Sequence, residues 1–265
     1  MHEYEDVIYE QKGANVTITI NRPNVMNALR SKTYGEITDA VLTAGWDPNV
    51  STIVITGAGG KAFCTGGDTN EKKSERKGGF GTVGVPVELL HSAIRDVPKP
   101  VIAKVRGYAI GGGHVMVTIC DLTIASEGAI FGQVGPKVGS VDPGYGTALL
   151  ARIVGEKKAR EIWYLCRRYN AQQALAMGLV NVVVSDDELD AEVDRWCEEI
   201  ALRSPTAIAI AKRSFNADSE NIRGIASMGY QALALYYQTA EAKEGGNARR
   251  EKRPPRFREV MNEGA

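Results

Sequence analysis

The stretch VIAKVRGYAIGGGHVMVTIC, residues 101–120, decides how this chain folds. It opens on Val101 to Val105, an apolar run of the kind that a strand covered on both faces requires. It closes on Gly112 to Cys120, which reads as a short apolar helix buried in the molecule. Between them stand Gly111, Gly112 and Gly113. A backbone without side chains approaches a ligand closely, and the N–H groups at a helix start point outward unused. A second cluster repeats the arrangement upstream. There the β-branched run Thr52 to Thr56 leads through a turn into Cys64-Thr65-Gly66-Gly67-Asp68. Two such clusters suggest two amide donors converging on one oxygen, an oxyanion hole that stabilises negative charge on a carbonyl.

Working outward, Val16 to Ile20 alternates like a strand and ends in the turn Asn21-Arg22-Pro23, and Leu29 to Leu42 has helical spacing. Residues 68–84, glycine-rich and charged, read as a mobile surface loop beside the site. Val87 to Val97 reads as a helix stopped by Pro98 and Pro100. Leu122 to Ala125, Ala129 to Phe131 and Val180 to Val184 read as strands. The remainder is helical: Thr147–Val154, Glu156–Cys166, Ala171–Met177, Glu188–Leu202, Pro205–Asn216 and Glu220–Glu244. The basic, proline-broken ARREKRPPRF near the C-terminus reads as an arm packed on a neighbour or on an anionic ligand. The predicted class is α/β.

Composition narrows the function. The 265 residues carry 32 basic and 32 acidic side chains, a net charge of zero, which argues against a nucleic-acid or membrane-surface binder. No apolar run approaches the roughly 18 residues of a membrane span. The acidic MHEYEDVIYE start has no apolar segment of a signal peptide, so a cytoplasmic protein is expected. Four dispersed cysteines read as reduced thiols, and three histidines without H-x-x-x-H spacing argue against a zinc site.

Three motif matches read as ordinary structure. Gly57 to Ala62 fits G-x-G-x-x-A, but the following FCTGG is a poor helix and no ribose-binding acid appears, so it reads as a turn rather than a dinucleotide site. Ser74-Glu75-Arg76-Lys77 fits S-x-x-K within a solvated charge run. His114, in an apolar helix, reads as a packing residue or a ligand contact. Asp142, in Gly139-Ser140-Val141-Asp142-Pro143-Gly144-Tyr145-Gly146, is a turn former or a carboxyl poised for proton transfer by apolar surroundings.

In combination, NRPNVMNAL, AFCTGGD, PKPVIAKVRGYAIGGGH and CDLTIAS resemble the crotonase (enoyl-CoA hydratase/isomerase) superfamily over residues 7–258. The resemblance implies repeated ββα turns forming a spiral core with the acyl-CoA site over residues 1–200. It also implies a C-terminal helical trimerisation region over 201–265, assembly as a homotrimer or a hexamer (a dimer of trimers), and an acyl-CoA thioester as substrate. No tightly bound cofactor is expected. By position the oxyanion-hole amides fall at Gly67 and Gly112. Val25, Thr65, Gly66, Asp68, Tyr108, His114 and Lys252 fall at substrate-binding positions, and Arg253 and Arg256 join Lys252 as candidates for the CoA phosphates.

The departures are telling. The two glutamates of the hydratases fall at Val115 and Gly135, and neither residue can move a proton, so a hydratase reading is chemically poor. Residues 131–169 are similar to a subgroup that contains 1,4-dihydroxy-2-naphthoyl-CoA synthases, which close a ring by Claisen condensation. The same subgroup contains 2-ketocyclohexanecarboxyl-CoA hydrolases, which open one. Resemblance to it implies active-site positions for Ser140, Asp142 and Tyr237 and a bicarbonate held by Gln133, Gly135 and Trp163; on chemical grounds the proton transfers are expected of Asp142, oriented by Ser140, with Tyr237 aiding the ketone oxygen. The synthases carry a tyrosine in the loop after GGD and an arginine at the position of Met26. Residues 69–84 contain no tyrosine, and GTVGVP, ELLHSAIRDVPKP and GSVDPGYGTA lie closer to the hydrolases. A ring-opening hydrolase is expected. A non-catalytic scaffold and an NAD-dependent reductase are the readings from other classes.

Overall fold

The structure, a computed structural model, describes residues 3–71 and 86–263. The S-x-x-K run at 74–77, Phe80 and most of the expected surface loop lie outside the described residues.

The chain begins with β1 (Val7–Lys12) and β2 (Asn15–Ile20), then α1 (Ser31–Trp46). Three further passes share one plan. Each lays a first strand, a second strand and a helix: β3 (Thr52–Gly57), β4 (Ala62–Cys64) and α2 (Val87–Asp96); β5 (Val101–Val105), β6 (Tyr108–Ile110) and α3 (Gly112–Ile119); β7 (Leu122–Ser126), β8 (Ile130–Gly132) and α4 (Gly135–Val138). The first strands join a six-stranded sheet of order β1-β2-β3-β5-β7-β10, where β10 is Val182–Val184. The second strands join a four-stranded sheet, β4-β6-β8-β9, closed by β9 (Tyr169–Asn170). All pairings are parallel except β1 with β2 and β8 with β9. This is the expected repeated ββα core.

Burial follows residue pattern. In β2 every second residue is buried, whereas β3 is buried along nearly its whole length, as a parallel strand covered on both faces demands. A π-helical turn, Tyr145–Leu149, then leads into α5 (Leu150–Val154), α6 (Glu156–Leu165) and α7 (Ala171–Ala176). On one face of the larger sheet, α8 (Leu189–Ala201) sets Leu189, Val193 and Cys197 against Val54, Ile102 and Ile124. The main core lies on the other face and continues into the C-terminal helices through Ile222, Ala226, Tyr230 and Leu233.

Those helices are α9 (Pro205–Asp218), α10 (Asn221–Tyr236), α11 (Ala240–Arg250) and α12 (Phe257–Glu263). The helix expected over Glu220–Glu244 is therefore two. Thr239 breaks it by capping α11, its hydroxyl accepting the Ala242 N–H at 3.2 Å. The basic arm has contacts within the chain. It folds back on its own chain, where Glu244 accepts two bonds from the Arg253 guanidinium (2.5 and 2.9 Å) and one from the Arg256 N–H (2.8 Å).

Candidate active site

The glycine clusters meet. Leu29 bridges to Gly67, its N–H donating to the Gly66 carbonyl and its carbonyl accepting from the Asp68 N–H, both at 2.8 Å. Gly66 has φ of 86°, and a Cβ there would stand 2.8 Å from the Gly112 nitrogen. The turn after β4 thus touches the first residue of α3. A Cβ on Gly113 would fall 2.1 Å from the Cys64 carbonyl, so this contact admits only glycine. Among the described residues, neither the Gly67 nor the Gly112 N–H donates to a protein acceptor. These are the unspent amides of a strand turn and a helix start.

Asp142 is held between its own turn and α10. Its Oδ2 accepts from the Tyr230 hydroxyl of α10 at 2.7 Å, and its Oδ1 from the Gly146 N–H at 3.0 Å. Burial raises its pKa to about 6, against the opposing pull of those two bonds. The packing that brings α10 here is close. Cβ atoms on Gly144 or Gly229 would strike Ala226 or Pro143 at 2.6 and 2.3 Å. The expectation that Ser140 orients Asp142 is corrected. The Ser140 hydroxyl is 2.6 Å from the Tyr237 hydroxyl, and Tyr230 and Gly146 hold the carboxylate instead. The reach of α10 explains this, since two of its turns separate Tyr230 from Tyr237 and each meets its own partner.

The other expected positions surround the amides or lie farther out. Val25 ends a 3-10 turn that delivers Met26 and Asn27, both left-handed at φ of 56° and 54°. The Asn27 side chain holds that shape, donating to the carbonyls of Ala58 (2.9 Å) and Ala62 (2.7 Å) and accepting the Arg22 N–H at 3.0 Å. Thr65 donates to the Met26 carbonyl at 3.1 Å, and Asp68 pairs with Arg22 at 2.9 Å. Tyr108 is exposed on β6, and Lys252 is exposed beyond α11. His114 is fully buried, its Nδ1 3.1 Å from the Gln133 amide nitrogen, and burial lowers its pKa to about 4, so it is neutral.

Two of the three residues expected to hold bicarbonate already have partners within the chain. Trp163 Nε1 donates to the Gly146 carbonyl, and Gln133 is engaged with His114. A Cβ on Gly135 would stand 2.5 Å from the Ser140 carbonyl and 2.7 Å from the Trp163 ring. As the chain is packed, no side chain fits at residue 135. Among the described residues, no cluster of histidine, cysteine or acidic side chains forms a metal site.

Sequence reasoning passed over Tyr34, Tyr145 and Tyr230. Tyr34 and Tyr230 occupy the buried stripes of α1 and α10, where they read as packing residues. A phenol on the core side of a helix needs a partner for its hydroxyl, and that was the available signal.

The sequence profile of the enoyl-CoA hydratase/isomerase family matches residues 10–260. The chain belongs to that family. A solved enoyl-CoA hydratase from Mycobacterium avium subsp. paratuberculosis is 30% identical, covering 96% of this chain and 99% of its own, with a TM-score of 0.85. An enoyl-CoA hydratase/isomerase from Pseudoalteromonas atlantica is 28% identical over 96% of this chain and 100% of its own, with a TM-score of 0.86. An enoyl-CoA hydratase subunit from Geobacillus kaustophilus is 31% identical over 97% and 99%, with a TM-score of 0.75. The chain is thus a crotonase-superfamily enzyme acting on CoA thioesters.

Proposed function

We propose that the enzyme opens the ring of a cyclic β-keto acyl-CoA, converting 2-ketocyclohexanecarboxyl-CoA to pimeloyl-CoA. The observation that carries this reading is a carboxyl raised to about 6, within electrostatic range of the Tyr34 hydroxyl that borders Gly112, in a chain with valine and glycine where hydration chemistry needs two acids.

The steps follow from the residues. Asp142, as carboxylate, takes a proton from water while the oxygen adds to the ring ketone, giving a tetrahedral adduct. Ser140 and Tyr237 hydrogen-bond the ketone oxygen as charge grows on it. The adduct collapses to a carboxylic acid, the bond from that carbon to the α-carbon breaks, and its electron pair passes into the thioester as an enolate. The N–H groups of Gly67 and Gly112 hold the enolate oxygen. Asp142, now neutral, returns its proton to the α-carbon, and the new acid ionises. Water is consumed, the thioester survives, and Asp142 ends as it began. A pKa near 6 suits a group that must both take and give a proton near neutrality.

Val25, Thr65, Gly66, Asp68 and Tyr108 bind the thioester arm in this proposal, and Lys252 meets the CoA phosphates. Three or six copies form the working assembly, and the enzyme acts in the cytoplasm. The test is product analysis by mass spectrometry. Incubation with 2-ketocyclohexanecarboxyl-CoA should yield a ring-opened thioester one water heavier. Unchanged substrate, together with cyclisation of a succinylbenzoyl thioester, would overturn the reading in favour of ring closure.

A further inference from the structure

We infer that Tyr34 is a catalytic residue, a third hydrogen-bond donor to the thioester oxygen beside the Gly112 amide. Its hydroxyl lies 3.6 Å from the point where a Cβ on Gly112 would stand. The side chain is only 6% exposed, yet its hydroxyl makes no hydrogen bond among the described residues. That oxygen is not among the fully buried polar atoms left without a partner, so it keeps access to solvent while lacking a protein acceptor. A substrate oxygen seated on the Gly112 N–H would supply it. Cys64 of β4, Asp142 and Tyr237 all lie within electrostatic range of the hydroxyl.

The chemistry suits a donor and not an acid. Burial and the neighbouring Cys64 and Asp142 hold the phenol well above its ordinary value, so it keeps its proton and shares it with the oxyanion. Tyr34 reaches the site from α1, behind the Leu29–Gly67 bridge, and is fixed by the same turn that aims the Gly67 amide. Three donors on one oxygen would favour the electron-rich enolate over the ground-state carbonyl, which needs fewer.

The experiment pairs Y34F with D142N in the full-length protein. The probe is acetoacetyl-CoA carrying a labelled thioester carbonyl, followed by the infrared stretch of that carbonyl when bound. Y34F should move the stretch back toward its position in free ligand, whereas D142N should leave it as in the unsubstituted protein. With a substrate that turns over, Y34F should lower kcat about 10–100-fold and change KM less than about threefold, the pattern of a contact strengthened in the transition state. Folding should be unharmed, because only an unpaired hydroxyl is removed, and equal or higher Tm for Y34F is the accompanying control. An unchanged carbonyl stretch with kcat intact would overturn the assignment. The inference rests on the ring-opening proposal only for its substrate. If the cyclic keto thioester is not opened but the stretch still depends on Tyr34, that proposal fails and the donor stands.

Discussion

Asp142 shows how one residue acquires a function from its surroundings. An aspartate in a glycine-rich turn is an ordinary turn former, but here the turn is roofed by α10 and the carboxyl is desolvated. A carboxyl whose folded pKa stands above its unfolded value penalises folding when ionised. The penalty is absent below about pH 4, grows as pH rises, and is complete above about pH 6. D142N removes it. That variant should therefore be more stable near neutrality, on the order of 2 kcal/mol, with the gain vanishing toward pH 4 in thermal melts. In the same variant turnover should fall by at least about 10³-fold, because no other group takes the proton, while calorimetry should show CoA thioester binding retained. Tyr230 supplies a second test. Its hydrogen bond favours the ionised carboxylate, so Y230F should move the acidic limb of the kcat/KM profile from about pH 6 to higher pH. An unmoved limb in Y230F would assign that limb to another group.

At the scale of elements, function lies where the turn after one strand of the smaller sheet, β4, touches the helix that follows its neighbour β6. The Gly66–Gly112 contact leaves no room for a methyl group, and Gly66 is also left-handed. G66A should separate the two amides and lower kcat by about 10²–10³ with the fold retained, as circular dichroism would show. G113A meets the Cys64 backbone more directly and should lower stability by about 1–3 kcal/mol or more in denaturant melts. These glycines were legible in the sequence because a strand-glycine-helix order has few physical readings. The ββα passes were half legible. β3, β5 and β7 are long, apolar runs, but β4, β6 and β9 are three residues or fewer and carry too little pattern to be seen. The break at Thr239 was hidden because apolar spacing runs on through Tyr236 and Tyr237 and only a capping hydroxyl interrupts it. Partnerships were hardest to read. Ser140 and Asp142 are neighbours in a turn, yet their partners sit about two helical turns apart on α10, a distance only tertiary packing sets.

At the scale of the whole molecule, the C-terminal helices both complete the site and offer a surface. Lys212 anchors α9 to the body, its ammonium group 2.7 Å from Asp121 and donating to the carbonyls of Ile94 and Lys99 at 2.8 Å. K212A leaves the desolvated Asp121 carboxylate with only the Val101 N–H and without its cation, and should cost about 3–5 kcal/mol, read as a lowered urea midpoint. Along α9 and α10, Ile210, Phe215, Met228 and Leu235 are exposed, each more than half uncovered. The proposed assembly of three or six copies would cover such residues, and sedimentation should then show that mass rather than one chain's 28.6 kDa. The central claim concerns which bond breaks. Turnover of 2-ketocyclohexanecarboxyl-CoA in water doubly labelled with oxygen-18 and deuterium tests it most directly. Ring opening places solvent oxygen in the new distal carboxylate and solvent deuterium on the α-carbon, and leaves the thioester intact. Free CoA with the label on the carboxyl group that the thioester had carried would mean the C–S bond breaks instead, and would contradict it.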